Sequence, residues 1–175
     1  ISLSNSEKLL EATYPLCSPF EYNDSLVIAC HNGEILKFSD GQLKTEFKIQ
    51  GQITSVVFDS NRQIYYLSDS ITKSILAYKV DDQSLFTVVK DYENVPFIGP
   101  HSIILSKKTG NIVFTIADPL PVNLRAEFQG KTPSTQGSVY LVDMQTEHHK
   151  ASRPQLPQDA FGTIIRHQLG GVLRL

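Results

Sequence analysis

Histidine and cysteine are the side chains of this sequence best suited to metal or acid–base chemistry, but most of them are poorly spaced for it. The two cysteines, Cys17 and Cys30, are too few for a four-cysteine zinc site or a disulfide framework, so we interpret them as reduced, largely buried thiols. His148 and His149 are adjacent, and adjacent side chains of a strand point to opposite faces. No P-loop, nucleophile elbow or HExxH motif occurs, so no contiguous motif indicates a reaction.

Composition excludes several classes of partner. With 16 basic and 18 acidic residues and a net charge of −2, the 175-residue chain lacks the basic surface that phosphate contacts require, so we expect no nucleic-acid partner. No run of about 20 apolar residues predicts a membrane span. We therefore expect a cytoplasmic protein. Because the chain begins at Ile1 rather than Met, a secreted protein whose leader has been removed is the alternative.

A repeat is the most informative feature of the chain. Thr54–Phe58 aligns with His101–Leu105, and without a gap Tyr65–Asp69 aligns with Ile112–Ile116. All four segments are short, apolar and rich in β-formers, and polar turn-forming residues separate the two members of each pair. Each copy therefore predicts a pair of strands joined by a turn.

A third copy lies earlier in the chain, where Asn32 and Gly33 form a predicted tight turn between two strands. In each copy a further strand-like segment follows. In the two copies that come first along the chain, a charged, alternating segment comes next, which we expect to be an exposed outer strand. The corresponding segments are Leu26–Cys30 and Glu34–Phe38 in the early copy, Ser74–Tyr78 and Ser138–Val142 in the other two, and Leu43–Ile49 and Leu85–Lys90 for the outer strands.

Four short strands per repeat predict an all-β fold, a β-propeller of four-stranded antiparallel blades. We place an N-terminal segment at residues 1–14, three blades at about 15–50, 51–97 and 98–146, and an irregular tail or incomplete fourth blade at 147–175. Thr163–Ile165 is the candidate inner strand of that fourth blade. A β-sandwich, the alternative, has no reason to repeat its sequence. An open arc would expose sheet edges, so it needs further blades or a second chain to close the ring.

Three stretches carry a resemblance to a known family: Cys17-Ser18-Pro19-Phe20 leading into Asn32–Phe38, Pro100–Ile104 leading into Gly110–Thr115, and Asn123–Phe128 leading into Gly137–Asp143. In order and spacing they resemble the six-bladed propellers of the gluconolactonase, senescence-marker-protein and strictosidine synthase-like group, with NHL-repeat propellers as relatives. The resemblance covers roughly residues 15 to 145.

The resemblance implies a divalent cation, calcium or zinc, on the propeller axis, but the implied ligands have changed. Cys17 stands where the lactonases have a ligand glutamate, and His101 stands where they have a ligand asparagine. Calcium prefers oxygen ligands, whereas imidazole suits zinc or copper. Ile116 replaces an expected aspartate, although Asp69 holds the equivalent place in the preceding copy and Asp118 lies nearby.

The candidate ligand-binding residues lie where the inner strands begin, at the mouth of the predicted channel: His101, Thr54, Cys17 and Ser102. His101 is the candidate metal ligand among them, and its alternative role is a structural hydrogen bond to neighbouring backbone. Arg125, Glu127 and Lys131 lie in a long insertion that either carries binding function or is a solvated loop.

Two classes of function follow. The first is a binding or interaction scaffold for a protein partner or a small-molecule ligand, because implied metal ligands are altered. The second is an enzyme, either a metal-dependent hydrolase or lactonase acting on a small ester, or a metal-free strictosidine synthase-like enzyme whose acid–base residue lies in later blades. The sequence leaves the question of catalysis open.

Overall fold

The computed structural model describes residues 8–116 and 138–145 and the backbone of Ala151 and Ser152, and these residues form β-strands joined by turns. Blade 1 contains β1 (Leu16–Tyr22), β2 (Ser25–Cys30), β3 (Glu34–Ser39) and β4 (Gln42–Lys48). Blade 2 contains β5 (Ile53–Asp59), β6 (Ile64–Asp69), β7 (Ser74–Lys79) and β8 (Leu85–Val89). After a hairpin of β9 (Asp91–Tyr92) and β10 (Val95–Pro96), blade 3 contains β11 (Pro100–Leu105), β12 (Ile112–Ile116), β13 (Ser138–Val142) and β14 (Ala151–Ser152).

Each blade is an antiparallel sheet whose strands follow chain order, which confirms the predicted all-β propeller architecture. No helix among the described residues is long and apolar enough to cross a membrane. The predicted fourth blade, with Thr163–Ile165, lies outside the described residues.

The strand register confirms the repeat. The first strand of each blade begins opposite the end of the second, through the pairs Leu16–Cys30, Ile53–Asp69 and Pro100–Ile116. Shortly after its start each of these inner strands carries a β-bulge, which falls between Cys17 and Phe20, between Ile53 and Ser55, and between Pro100 and Ile103. A bulge bends its strand and changes the direction of local side chains. All three blades therefore share one irregular geometry at the same end.

Two apolar clusters lie between the blades, one on each face of blade 2. Because successive residues of a strand point to opposite faces, one strand of blade 2 can contribute to both clusters. Tyr65 and Leu67 of β6 belong to the cluster between blades 1 and 2, together with Val27 and Ile35. Tyr66, on the opposite face of β6, belongs to the cluster between blades 2 and 3. Because both faces of β6 are covered, all of its residues are buried.

Aromatic rings fill much of both clusters. Phe47 of β4 stacks on Tyr78 of β7 with centroids 3.9 Å apart, so the outer strand of blade 1 also packs on blade 2. The linking segment before β11 contributes Phe97, whose ring lies 5.2 Å from those of both Phe114 and Tyr140. These aromatic pairs add directional contacts to the burial of apolar area.

Left-handed backbone closes the tight turns. Asn23 and Asp24 have φ of 49° and 55°, as a type I′ turn between β1 and β2 requires, and Asp40 and Gly41 repeat this with 52° and 70°. Gly33, in the turn predicted from Asn32-Gly33, has φ of 88°, and a Cβ at this position would lie 2.1 Å from the carbonyl oxygen of Ile49. Only glycine fits there.

The outer strands differ among the blades. In β4 every residue except Phe47 is exposed, as predicted from its charged alternation. The outer strand of blade 3 is the two-residue β14, which pairs with Leu141 and Val142. Blade 3 thus extends past residue 146 through a strand too short to show an alternating pattern.

Candidate binding site at the propeller mouth

Cys17 borders the β-bulge of β1, Thr54 lies in that of β5, and both side chains hydrogen-bond to the next blade. The Cys17 thiol donates to the carbonyl of Ile53 with Sγ and O 3.5 Å apart. The Thr54 hydroxyl lies 3.1 Å from the carbonyl oxygen of Pro100 and 3.3 Å from that of Ser68. Ile53 and Pro100 are equivalent residues of successive blades, so Cys17 and Thr54 make the same kind of contact, each time to the following blade.

The serines that follow these two residues repeat a second contact, which we call the serine clip. In the first clip, the backbone N–H of Val56 donates to Ser18 Oγ at 3.1 Å. In the second, the N–H of Ile103 donates to Ser55 Oγ at 3.2 Å. The two hydroxyl oxygens lie 3.1 Å apart, and Ser18 Oγ is also 3.2 Å from the carbonyl of Val56. Hydrogen bonds therefore connect the inner strands of all three blades.

The chemistry of Cys17 is that of a thiol rather than a thiolate. Burial, and to a smaller extent the charge of Cys30, raises the pKa of Cys17 from 9.0 to about 11. The thiolate is the metal-binding and nucleophilic form of cysteine. At neutral pH Cys17 is consequently a protonated hydrogen-bond donor, which matches its contact with Ile53.

His101 and Ser102 occupy the same positions of blade 3, where their surroundings differ. Both are exposed, and His101 Nδ1 lies 3.1 Å from Ser102 Oγ. The Ser102 N–H donates to the Thr115 hydroxyl at 3.2 Å, which fixes the bulge on the neighbouring strand. The structure thus places all four predicted residues at or beside the bulges of the inner strands. Cys17 and Thr54 bond to the next blade, whereas His101 and Ser102 are exposed.

Asp69, the carboxylate that family resemblance indicated, anchors a loop. It is fully buried and accepts hydrogen bonds from the backbone N–H groups of Gln52, Ile71 and Thr72 at 2.8, 3.1 and 3.1 Å. The Thr72 hydroxyl adds a fourth bond at 2.6 Å. These donors replace the hydration of the buried carboxylate, so Asp69 stabilises the loop that follows β6.

The mouth residues do not fit the calcium ion that the resemblance implies. Cys17 presents a thiol proton to a carbonyl, and His101 presents nitrogen where calcium prefers oxygen. Among the described residues no group of three or more His, Cys, Asp or Glu side chains is arranged to hold a metal ion. Asp118, Arg125, Glu127, Lys131, His148 and His149 lie outside the described residues.

A groove lies further along the inner strands, where all three blades meet. Its volume is about 400 Å³. Aromatic and aliphatic side chains dominate the lining, with Glu21 and Lys107 as its charged members; the others are Phe20, Tyr22, Val57, Phe58, Ser60, Ile104 and Leu105. The groove is mostly apolar, and no cluster of acid–base groups from the described part of the chain lines it.

The serine clips were missed by sequence reasoning, although one signal for them was visible. Ser18, Ser55 and Ser102 stand at the same position of three aligned copies. A small hydroxyl residue that recurs at one place in a repeat indicates a contact between repeats. The contact made by the residue before each serine was harder to predict from sequence, because that residue is Cys17, Thr54 or His101 and these residue types differ.

Comparison with known proteins gives a fold and no close relative. No protein-family model matches the chain, and no curated protein matches it. Among solved structures, a gluconolactonase from Xanthomonas campestris is similar, with a TM-score of 0.63 and 19% identity over 83% of this chain and 48% of that one. A putative gluconolactonase has a TM-score of 0.62 and 12% identity, covering 86% and 52%.

A third neighbour comes from a nidogen–laminin complex, with a TM-score of 0.56 and 14% identity, covering 81% of this chain and 49% of that one. The chain thus spans about half the length of these three neighbours. Its fold is that of a partial gluconolactonase-like and NHL-like β-propeller, which confirms the predicted resemblance at the level of fold.

Proposed function

We propose that this chain forms part of a β-propeller that acts as a binding scaffold for a protein partner or a small molecule. The proposal rests on one observation, the hydrogen bonds made by the residues at the mouth. Cys17 and Thr54 are at positions that would face a ligand on the axis, but both donate hydrogen bonds to backbone carbonyls of the next blade. Residues committed in this way stabilise the stack of blades and are poor metal ligands.

The neighbours support both a scaffold and its rival. One belongs to a complex between two proteins, nidogen and laminin, which is the kind of use that a scaffold proposal expects. One is a gluconolactonase and another is described as a putative gluconolactonase, which supports the rival proposal of a hydrolase. The contact of Cys17 favours the scaffold, because its thiol is only partly exposed and already donates a hydrogen bond to the carbonyl of Ile53 in the next blade.

The two proposals are separated by the thermal unfolding midpoint in excess calcium, zinc and manganese. A ligand at about 100 times its dissociation constant stabilises the folded state by about 2.7 kcal/mol, which raises the midpoint by several degrees. For a scaffold we expect none of the three ions to raise it.

His101→Ala is the decisive variant, with His31→Ala as the histidine control outside the inner strands. A metal-induced rise that His101→Ala abolishes and His31→Ala retains would replace the scaffold by a metal-dependent hydrolase. Hydrolysis of a gluconolactone by the chain, lost in His101→Ala, would have the same consequence.

A further inference from the structure

The outer strand of blade 2, β8, leaves one edge of its sheet unpaired within the described part of the chain. It is the last strand in the order β5-β6-β7-β8. An unpaired edge presents free N–H and C=O groups, and proteins commonly protect such an edge with charged side chains. In β4, the equivalent strand of blade 1, Lys44, Glu46 and Lys48 provide this protection. In contrast, β8 contains no charged residue.

The exposed side chains of β8 are mostly apolar. Leu85 is 44% exposed and Phe86 is 38% exposed, and Val80, in the turn before the strand, is 36% exposed. Thr87 is exposed as well. A single exposed apolar side chain is ordinary, but neighbouring ones on an uncharged strand edge indicate an interaction surface.

The register with β7 determines which backbone groups of β8 point outward. The N–H of Lys79 donates to the carbonyl of Ser84 at 2.9 Å. Antiparallel strands alternate between residue pairs that exchange hydrogen bonds and pairs that do not. Phe86 lies two residues after Ser84 in the same register, so its N–H and C=O face β7. The N–H and C=O groups of Leu85 and Thr87 therefore point away from the sheet.

We propose that β8 is a self-association edge, on which a second copy of this chain docks with its own β8 in antiparallel orientation. A two-fold axis at Phe86 sets Leu85 of each copy opposite Thr87 of the other. Each of these two pairs exchanges two hydrogen bonds, so all the outward groups of Leu85 and Thr87 are satisfied. The two Phe86 residues then form a pair without hydrogen bonds, in which Cα atoms are about 4.5 Å apart.

Charge supports a second copy as the partner. Antiparallel pairing brings Lys90, at the end of one β8, toward the turn before the other β8, where Asp81 and Asp82 are exposed. Each copy thus supplies both signs of charge. The same pairing on β4 would set Lys44, the equivalent of Phe86, directly opposite Lys44 of the second copy. Like charges in that position are destabilising, so β4 resists the pairing that β8 allows.

This edge is separate from the mouth. Two strands lie between β8 and the inner strand β5, so pairing at β8 neither closes the ring of blades nor occupies the candidate binding site. Only a few residues of each chain pair directly, and small interfaces are typical of weak association. We therefore expect a dissociation constant of about 10–100 µM.

Disulfide trapping tests the contact directly. Phe86→Cys should give a disulfide-linked dimer under mild oxidation, because Cα atoms about 4.5 Å apart lie within the range that a disulfide spans. Peptide mass mapping should find position 86 joined to position 86. The matched control is Lys44→Cys, at the equivalent position of β4, which should stay monomeric. A Phe86→Cys chain that links no faster than Lys44→Cys would overturn the proposal.

Sedimentation velocity from about 10 µM to about 1 mM supplies a second readout. Thr87→Pro should weaken the dimer about 10-fold or more, because it removes an outward N–H while leaving the bonds to β7 in place. Thr45→Pro, its equivalent on β4, should leave the dimer unchanged. Phe86→Lys, which gives β8 the charge of β4, should weaken the dimer similarly and serves if the proline variant does not fold. A chain that stays monomeric at about 1 mM, or a dimer that tolerates Phe86→Lys, would refute association through β8.

Discussion

Replacing Ser55 by alanine removes the centre of the hydrogen-bond chain that joins the three inner strands. Ser55 is 6% exposed, and its hydroxyl accepts the N–H of Ile103, a residue that is itself 4% exposed. The substitution leaves that buried N–H without its acceptor and takes away the partner of Ser18 Oγ. An unsatisfied buried donor costs about 1–3 kcal/mol, so we expect Ser55→Ala to lower the free energy of unfolding by about 2 kcal/mol.

For a chain of this size that loss lowers the thermal unfolding midpoint by about 4–8 °C. The assay is urea unfolding followed by circular dichroism, with calorimetry as a second measurement. Ser60→Ala is the matched control, because Ser60 is exposed and its hydroxyl has no hydrogen-bond partner among the described residues. We expect a change below about 0.5 kcal/mol.

A cycle with Ser18→Ala tests whether the two hydroxyls act together. Because they lie 3.1 Å apart, the double variant should lose less stability than the two single variants combined. A Ser55→Ala protein as stable as the Ser60→Ala control would refute the claim that serine clips hold the blades together.

Three further predictions follow from single positions. Gly33→Ala should destabilise the protein by more than about 2 kcal/mol in urea unfolding, since the added Cβ would meet the backbone of Ile49. The control Gly41→Ala, where no atom lies within 4 Å of the added Cβ, should cost only about 1 kcal/mol of backbone strain. Equal losses of stability in the two variants would contradict this reasoning. Ser68→Ala should raise the midpoint by about 2–4 °C, because the buried Ser68 hydroxyl has no partner among the described residues; a lower midpoint would mean that this hydroxyl is satisfied. Stability should fall as the pH rises from 9.0 to about 11, because the Cys17 thiol loses its proton first in the unfolded chain, and Cys17→Thr should remove this part of the loss in urea titrations at each pH; an unchanged pH profile in Cys17→Thr would exclude Cys17 as its source.

The fold was predictable because its signals are local. The short, apolar, β-forming run Tyr65–Asp69 predicted a strand, and Asn32-Gly33 predicted a turn in which Gly33 has the left-handed backbone. Equivalent strands recurred in order, which identified the blades before their packing was known. These features depend on neighbouring residues in the chain, where sequence carries its strongest information.

The positions of the four candidate residues in the fold were predictable, but their contacts were not. The sequence located Cys17, Thr54, His101 and Ser102 at the starts of inner strands, and the structure places them there, at or beside the bulges. It could not show that Cys17 donates to Ile53, because that carbonyl belongs to another blade and its distance depends on how the blades stack. The family resemblance pointed instead to a metal ligand.

Sequence by itself determined the class of fold, the number of strands per blade and the residues at the mouth. Tertiary structure decided what those residues do, since the serine clips, the raised pKa of Cys17 and the hydrogen bond from Gln52 to Asp69 all arise from groups distant in the chain. The physical reason is that strand patterns follow local backbone geometry, whereas hydrogen-bond partners and burial follow from the docking of one sheet on the next.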